Sequence, residues 1–390
     1  MSALPQNKQR RKRDEMIKKN ILIVDDSALM RRVLSDIINS DERFVVCDIA
    51  HNGLDAFDKV TLNPKKFDAI VLDINMPKMN GIEFLEQLNR LRIKMTVIIV
   101  STVAKQGAAE TIRALELGAF DFVTKPGNFN EAKEESFQHK VLNCLACATK
   151  LANGAEQLQN KTRFKTESQG TKEDQKPAVS SSKPIASRHS HKQVSAGAKK
   201  LVALACSTGG PKALQQVIPK LPANLDAPVI MVQHMPAGFT ASLASRLNDL
   251  SRVHVKEATD GEIIQKGTVY IAPGGTQMRL ARKGREYAIS ISPDEPARTG
   301  LKPCADIMYE SLLTSDFDDI TCVVLTGMGG DGTAGIKQLN DKRNIYVIGQ
   351  NAETCTVYGM PKVLFESGLT DEVVPLGQVA EAITKNVGVQ

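Results

Sequence analysis

Ten short apolar runs recur along this chain, each ending in or directly followed by a polar residue or a glycine, and most are separated by stretches long enough for a helix. ILIVDD, FVVCDIA, DAIVLD, MTVIIVS and AFDFVTK come first; LVALAC, APVIMVQH, TVYIAP, TCVVLTG and NIYVIGQ come after a break. Runs this short and continuously apolar suit strands buried on both faces, and parallel sheets demand that arrangement because their crossover helices cover both sides. The pattern predicts an α/β protein with two doubly wound parallel-sheet domains, the first flavodoxin-like and the second Rossmann-like. YAISISP adds an antiparallel element to the second. From about Lys150 to Ala198 the chain is rich in Lys, Gln, Ser and Thr and poor in large apolar residues. Such a segment buries too little surface to offset its ordering entropy, so it reads as a flexible linker. The expected organisation is a basic disordered tail over 1–19, a first domain over 20–140, a linker over 141–198 and a second domain over 199–390.

A chain of 390 residues exceeds one ordinary core, and 42% hydrophobic with 24% charged residues is a soluble, globular balance. No apolar stretch reaches the ~18 residues of a membrane span. The N-terminus lacks the apolar core of a signal peptide, because ILIVDD turns acidic at once. The seven scattered cysteines suit buried thiols in a reducing cytoplasm. Cys144-x-x-Cys147 resembles half a zinc site, but no second pair is near and His139 is badly spaced. The net charge of +6 is concentrated in the tail, where Lys8, Arg10, Arg11, Lys12, Arg13, Lys18 and Lys19 face only Asp14 and Glu15. Such a tail can attract nucleic acid or an acidic membrane surface; a solubilising end is the simpler reading, and no nucleic-acid partner is expected.

In the first domain, strand one ends in Asp25-Asp26 and strand three in Asp73. Three carboxylates at one sheet edge repel unless a hard dication binds among them, and Mg²⁺ is the natural candidate. Ser101-Thr102 and Lys125-Pro126 close two further strands, offering a hydroxyl and an ammonium to an anion attached to one carboxylate. The alternative is that Asp25 and Asp26 merely cap the next helix.

In the second domain three glycine-marked segments each carry one residue that serine-nucleophile chemistry needs: LACSTGGPKAL with Ser207, VQHMPAGFT with His234 and VLTGMGGDGTAG with Asp331. Each follows an apolar run, so all three residues belong at strand ends, where open α/β sheets build their sites. The order Ser…His…Asp is no obstacle, since triads are recognised by role. Each segment has a competitor. A strand–Ser–Gly-Gly–helix turn also binds phosphate. A rim histidine need not be a base, although His254, the domain's other histidine, lies in the alternating run RVHVKEA and reads as structural or surface. Gly327–Gly332 matches the dinucleotide pattern G-x-G-x-x-G, which wants an acid about 20 residues on; Gln350 and Asn351 stand there instead.

VDDSALMR, LDINMPKMNG, VST and TKP resemble the signatures of response-regulator receiver domains over roughly residues 20–140. The resemblance implies that Asp73 is the phosphoacceptor, that Asp25, Asp26, Asp73 and the backbone carbonyl of Asn75 hold Mg²⁺, and that Ser101, Lys125 and Phe122 form the phospho-switch. Asn80 stands where Asp is commoner. QHMPAGFTASLASRLN, LTGMGGDGTAGI and TCTVYGMPK, with APGGTQM, resemble the chemotaxis response-regulator methylesterases (CheB family) over roughly 199–388. That resemblance implies a cytoplasmic, phosphorylation-activated protein-glutamate methylesterase in chemotaxis signalling, which hydrolyses glutamyl methyl esters on chemoreceptors and also deamidates glutamines. Its partners would be the chemoreceptor cytoplasmic domain as substrate and a chemotaxis histidine kinase as phosphodonor. Ser207 would be the nucleophile, His234 the base and Asp331 its orienter, while Thr208 and the backbone N–H of Met328 would set the oxyanion site, with no cofactor for the esterase reaction. Ala205 and Cys206 replace a usual Gly-Ala, Gln277 a common His, and Cys304 falls within a changed Pro-Ser-Val-Asp motif. Ala205 is expected to tighten the elbow and Cys304 to alter substrate contacts. The rival functions are a non-catalytic adaptor and a nucleotide-binding effector.

Overall fold

The computed structural model describes residues 18–102, 105–126, 135–150 and 197–390. The basic tail to residue 17 and most of the expected linker therefore lie outside the described residues. The chain divides into two compact units.

The first unit's sheet is built by β1 (Lys19–Val24), β2 (Phe44–Ala50), β3 (Ala69–Asp73), β4 (Val97–Ser101) and β5 (Asp121–Thr124). The helices along this stretch are α1 (Ala28–Asn39), α2 (Gly53–Leu62), α3 (Gly81–Arg90), α4 (Lys105–Glu116) and α5 (Glu135–Ala148). All strand pairs are parallel, in the order β2-β1-β3-β4-β5. The chain leaves β1 for β2 on one side and returns to β3 on the other, so the strand order reverses between β1 and β3. Ile21, Ile23, Val71, Ile98 and Val100 pack against Leu34 and Ile38 of α1 and Val141 and Leu145 of α5. Here the boundary expected at residue 140 is corrected: α5 runs on to Ala148, because Phe137, Val141 and Leu145, spaced by four, place one face of the helix in this core. Side chains start three of the helices. Ser27 caps α1, Asn52 caps α2, and Asn80 with Glu83 forms a reciprocal capping box on α3.

The second unit's sheet has seven parallel strands in the order β14-β13-β12-β6-β7-β9-β8. They are β6 (Lys200–Cys206), β7 (Val229–Gln233), β8 (His254–Glu257), β9 (Thr268–Ile271), β12 (Asp319–Val324), β13 (Ile345–Gln350) and β14 (Glu372–Val374). β10 (Gln277–Lys283) and β11 (Glu286–Ser292) form a separate antiparallel hairpin, the element foreseen in YAISISP. The helices are α6 (Gly210–Val217), α7 (Phe239–Leu250), α8 (Ala305–Glu310), α9 (Thr333–Asn340), α10 (Met360–Glu366) and α11 (Val379–Val387). The order reverses between β6 and β12, the place where open α/β sheets leave a crevice at their carboxyl ends. Tyr309, fully buried, seals the sheet below that crevice, its hydroxyl 3.2 Å from the Ala203 carbonyl on β6 and 3.0 Å from that of Val323 on β12.

Candidate active site and receiver rim

Ser207, His234 and the loop carrying Asp331 follow β6, β7 and β12, three adjacent strands. The last register pair of β6 and β7 is Cys206–Gln233, so Ser207 and His234 each stand one residue beyond it. Backbone bonds fix both: the Ser207 N–H donates to the Thr326 carbonyl at 3.0 Å and the His234 N–H to the Cys206 carbonyl at 3.2 Å. After Ser207 the chain turns at Gly209, whose φ of 76° is left-handed. Any Cβ there would also run into Thr356, so the sharp turn into α6 requires glycine. Gly327 has a second steric duty: a Cβ on it would lie 2.8 Å from the Cβ of Ser207. Of the glycines in the dinucleotide-like pattern, Gly327 and Gly332 thus admit neighbouring protein atoms, Ser207 and Tyr309 among them, while Gly329 faces open space. The Gln350 side chain, 1% exposed, accepts the Thr326 N–H at 2.8 Å, so it is engaged within the fold.

His234 Nε2 lies 2.8 Å from Asp331 Oδ2, with the two side chains 9% and 5% exposed. Asp331 accepts three more bonds: the Ala305 N–H to Oδ2 at 2.6 Å, the Asp306 N–H to Oδ1 at 3.0 Å and the Cys304 S–H to Oδ1 at 3.1 Å. Burial pushes this carboxyl upward. The bond and charge of His234 and the two backbone amides outweigh it and hold Asp331 well below the usual carboxylate range. An ionised Asp331 accepts from Nε2–H, which leaves Nδ1 as the ring nitrogen not engaged by the acid. Met328 and Thr208 flank Ser207, one next to Gly327 and the other next in sequence, both half-buried. The Thr208 carbonyl accepts from Thr326 Oγ1 at 2.9 Å. His254 is exposed at the start of β8, away from the triad's strand ends.

Ala205 is wholly buried among core residues of the sheet. One expectation is corrected here. Cys304 is 1% exposed and turns its thiol to Asp331, so it bonds that acid from a buried position and is not placed to make surface contacts. The buried Gln277 holds it there, its Oε1 accepting the Cys304 N–H at 2.9 Å while its Nε2 donates to the Leu301 carbonyl at 3.1 Å. Gln233 was not foreseen. Its Nε2 bonds the carbonyls of Ser207 at 3.0 Å and His234 at 3.2 Å, and its Oε1 lies 3.0 Å from Cys206 Sγ, so one amide ties the backbone at Ser207 to that at His234. The available signal was a glutamine closing an otherwise apolar buried strand.

In the first unit, Asp25, Asp26 and Asp73 offer oxygens within 4.8 Å of one another. The Lys125 ammonium bridges two of them, 2.9 Å from Asp25 Oδ2 and 2.6 Å from Asp73 Oδ2. Burial raises the Asp73 carboxyl's pKa, and Lys125 offsets only part of that rise. For Lys125 burial acts downward, but Asp25 and Asp73 outweigh it and raise its pKa. The Lys125 N–H donates to the Ser101 carbonyl at 2.6 Å, which joins the ends of β4 and β5. Phe122 is half-buried on β5, and Asn75 is exposed two residues after Asp73, its N–H donating weakly to Asp73 Oδ1 at 3.4 Å. Ser27 is the side-chain cap of α1, and Asp25 Oδ1 accepts the Ser27 N–H at 2.8 Å just ahead of the helix, so the helix-cap alternative accounts for one oxygen of Asp25 and leaves its other oxygen to Lys125. Hard oxygen donors with one exposed member, Asp26, fit a hydrated Mg²⁺.

Comparison with known proteins agrees with both halves. Residues 202–383 match the protein-family model described as CheB methylesterase, and residues 21–135 match that of the response regulator receiver domain. A protein of Halalkalibacterium halodurans named protein-glutamate methylesterase/protein-glutamine glutaminase is 40% identical over 366 residues, covering 94% of this chain and 97% of its own. A Bacillus subtilis protein of the same name is 38% identical, covering 94% of this chain and 98% of its own. One from Syntrophomonas wolfei, named with the suffix 1, is 39% identical, covering 94% and 99%.

Proposed function

Since this chain belongs to the family of receiver-linked CheB methylesterases, we propose that it is a phosphorylation-activated serine esterase that hydrolyses glutamyl methyl esters, and deamidates glutamines, on chemoreceptor cytoplasmic domains. The observation that carries the reading is the 2.8 Å bond between His234 and a buried Asp331, with Ser207 at the neighbouring strand end.

Ser207 Oγ attacks the ester carbonyl carbon while His234 Nδ1 takes its proton. The positive charge that forms on the ring is met by Asp331 through Nε2–H. The tetrahedral oxyanion sits by the backbone N–H of Met328 with Thr208 beside it. As the C–O bond breaks, the imidazolium returns the proton and methanol leaves; from a glutamine, ammonia leaves. Water, deprotonated by His234, then attacks the acyl-enzyme, releasing a glutamate and restoring Ser207. Nucleophile, base and orienter are all side chains, so this sequence calls for no cofactor.

The receiver supplies control. Asp73 takes the phosphoryl group from a chemotaxis kinase, and Asp25, Asp26, Asp73 and the Asn75 carbonyl would hold Mg²⁺, which would supply neutralising charge there. Lys125, already between two carboxylates, follows the new negative charge, and Ser101 and Phe122 register its arrival. The enzyme acts in the cytoplasm; among the described residues no helix is long and apolar enough to cross a membrane.

The test is incubation with a methylated receptor cytoplasmic fragment, with and without a small-molecule phosphodonor and Mg²⁺. Methanol release with the matching mass loss, faster with phosphodonor, is expected. A receptor fragment that keeps all its methyl groups would overturn the reading.

A further inference from the structure

The two short helices that meet behind the triad exchange their N-terminal caps. α8 begins after Cys304 and α9 after Gly332, and neither of these cap residues bonds its own helix through a side chain. The first turn of α8 is capped from the other helix instead: Asp331 accepts the N–H of Ala305 and of Asp306. Asp306, in that same turn, returns the contact, its Oδ1 accepting the N–H of Gly332 at 3.0 Å and of Gly335 at 2.7 Å. Cap residues ordinarily serve their own helix. Here the acid that opens each helix closes the other.

From this exchange we propose that Asp306 is a positioning residue for the esterase, holding the Asp331 carboxylate in line with His234. The proposal rests on Asp331 being the orienter of His234. Asp331 is one residue before Gly332, so an anchor on the Gly332 and Gly335 amides fixes where its carboxylate can reach. Two close carboxylates repel, and the arrangement has them ionise unequally. Burial first, and then the charge of Asp331, push Asp306 up, while Asp331 is held down. Cys304, Asp306 and Asp331 also lie close enough to suggest a metal cluster. Both oxygens of Asp331 and Oδ1 of Asp306 are already filled by N–H and S–H donors, so the cluster is a bracket.

The experiment measures kcat and KM on methylated receptor fragment for full-length Asp306→Ala, Asp306→Asn and each combined with Asp331→Asn. Asn keeps a carbonyl oxygen for the two amides and should stay within a few-fold of wild type. Ala should lose about 10²-fold in kcat, the order that a displacement of about 1 Å costs at a catalytic group, with KM nearly unchanged. In the Asp331→Asn background the same Ala change should cost little more, because residues acting as a unit are not additive. Wild-type kcat in Asp306→Ala, a loss confined to KM, or losses that multiply in full would each overturn the proposal. Should the Ala variant fail to fold, Asp306→Thr replaces it: a hydroxyl of shorter reach serves one amide, predicting an intermediate kcat and the same non-additivity. An active Asp331→Asn protein would instead remove the triad assignment itself, whatever Asp306 does.

Discussion

The receiver rim gathers three carboxylates and a bridging ammonium at strand ends, while the esterase rim carries one buried carboxylate, an imidazole and a hydroxyl. Both lie at the reversal point of a parallel sheet. At the receiver, α1, α2 and α3 are closed by their own Ser27, Asn52 and Asn80, leaving the carboxylates for an outside cation. At the esterase, α6 and α9 start from left-handed glycines with no side-chain cap of their own, α9 takes its cap from Asp306, and the acid that faces His234, Asp331, is consumed by internal donors. The difference teaches that the same architecture suits an external charge when its rim is over-charged and orients an imidazole when the acid beside it is enclosed by donors.

That comparison breaks most visibly at Ser207. Ser207→Ala should abolish methanol release and labelling by a serine-reactive phosphonate, with a thermal midpoint close to wild type, because one hydroxyl on a half-buried rim contributes little stability. Residual turnover near wild type would point to another nucleophile.

Next come the partners of the proton. Asp331→Asn should lower kcat by about 10⁴-fold, the loss seen when an orienter is removed from the best-studied serine protease, and His234→Ala should fall by several orders of magnitude. His254→Ala should be near neutral. Asp331 also predicts a pH signature. Its folded pKa is depressed, so its contribution to stability is present above the unfolded value of about 4 and is lost as pH falls through the folded one. The urea-midpoint gap between wild type and Asp331→Asn should therefore be flat above about pH 5 and narrow below about pH 4. A gap that widened in acid would contradict an ionised Asp331.

The receiver side is tested by Asp73→Asn, which should prevent phosphate incorporation from a small-molecule donor with Mg²⁺ and remove the stimulation of esterase activity while leaving the basal rate. Stoichiometric phosphate on that variant would mean a different acceptor.

The parallel sheets were readable because their strands are continuous apolar runs, and Ser207 and His234 stood out as candidates because each directly follows such a run, whereas Asp331 lies in a glycine-marked loop well beyond the end of β12. What was hidden shares a cause. Gln233, Thr326 and Asp306 act through bonds to backbone groups that the chain brings together only on folding, so no local pattern marks them. β14, three residues long, is too short to show a period. The receiver's last helix was cut short because the polar linker beyond it drew the boundary inward, although Phe137, Val141 and Leu145 already carried helical spacing. Cys304 was misplaced for a different reason: sequence showed a departure from the family motif but not which way the side chain turns.

Cys304 also supplies the smallest and most discriminating test. Its thiol donates to Asp331 at 3.1 Å from a buried position. Burial, and then the neighbouring Asp331 charge, push its pKa up to about 12, so it stays a protonated donor. An S–H is a weak donor, whereas a hydroxyl is a good one. Cys304→Ser should therefore retain or slightly raise kcat, and Cys304→Ala should lower it by several-fold, since the backbone amides of Ala305 and Asp306 still hold the acid. The same burial and high pKa predict resistance to iodoacetamide at pH 8 in the folded enzyme, because the thiolate is the reactive form. Rapid alkylation of Cys304 in the native protein, or a folded Cys304→Ser enzyme as poor as Asp331→Asn, would mean that the thiol faces the substrate after all, and the esterase rim would then be less enclosed than its contrast with the receiver requires.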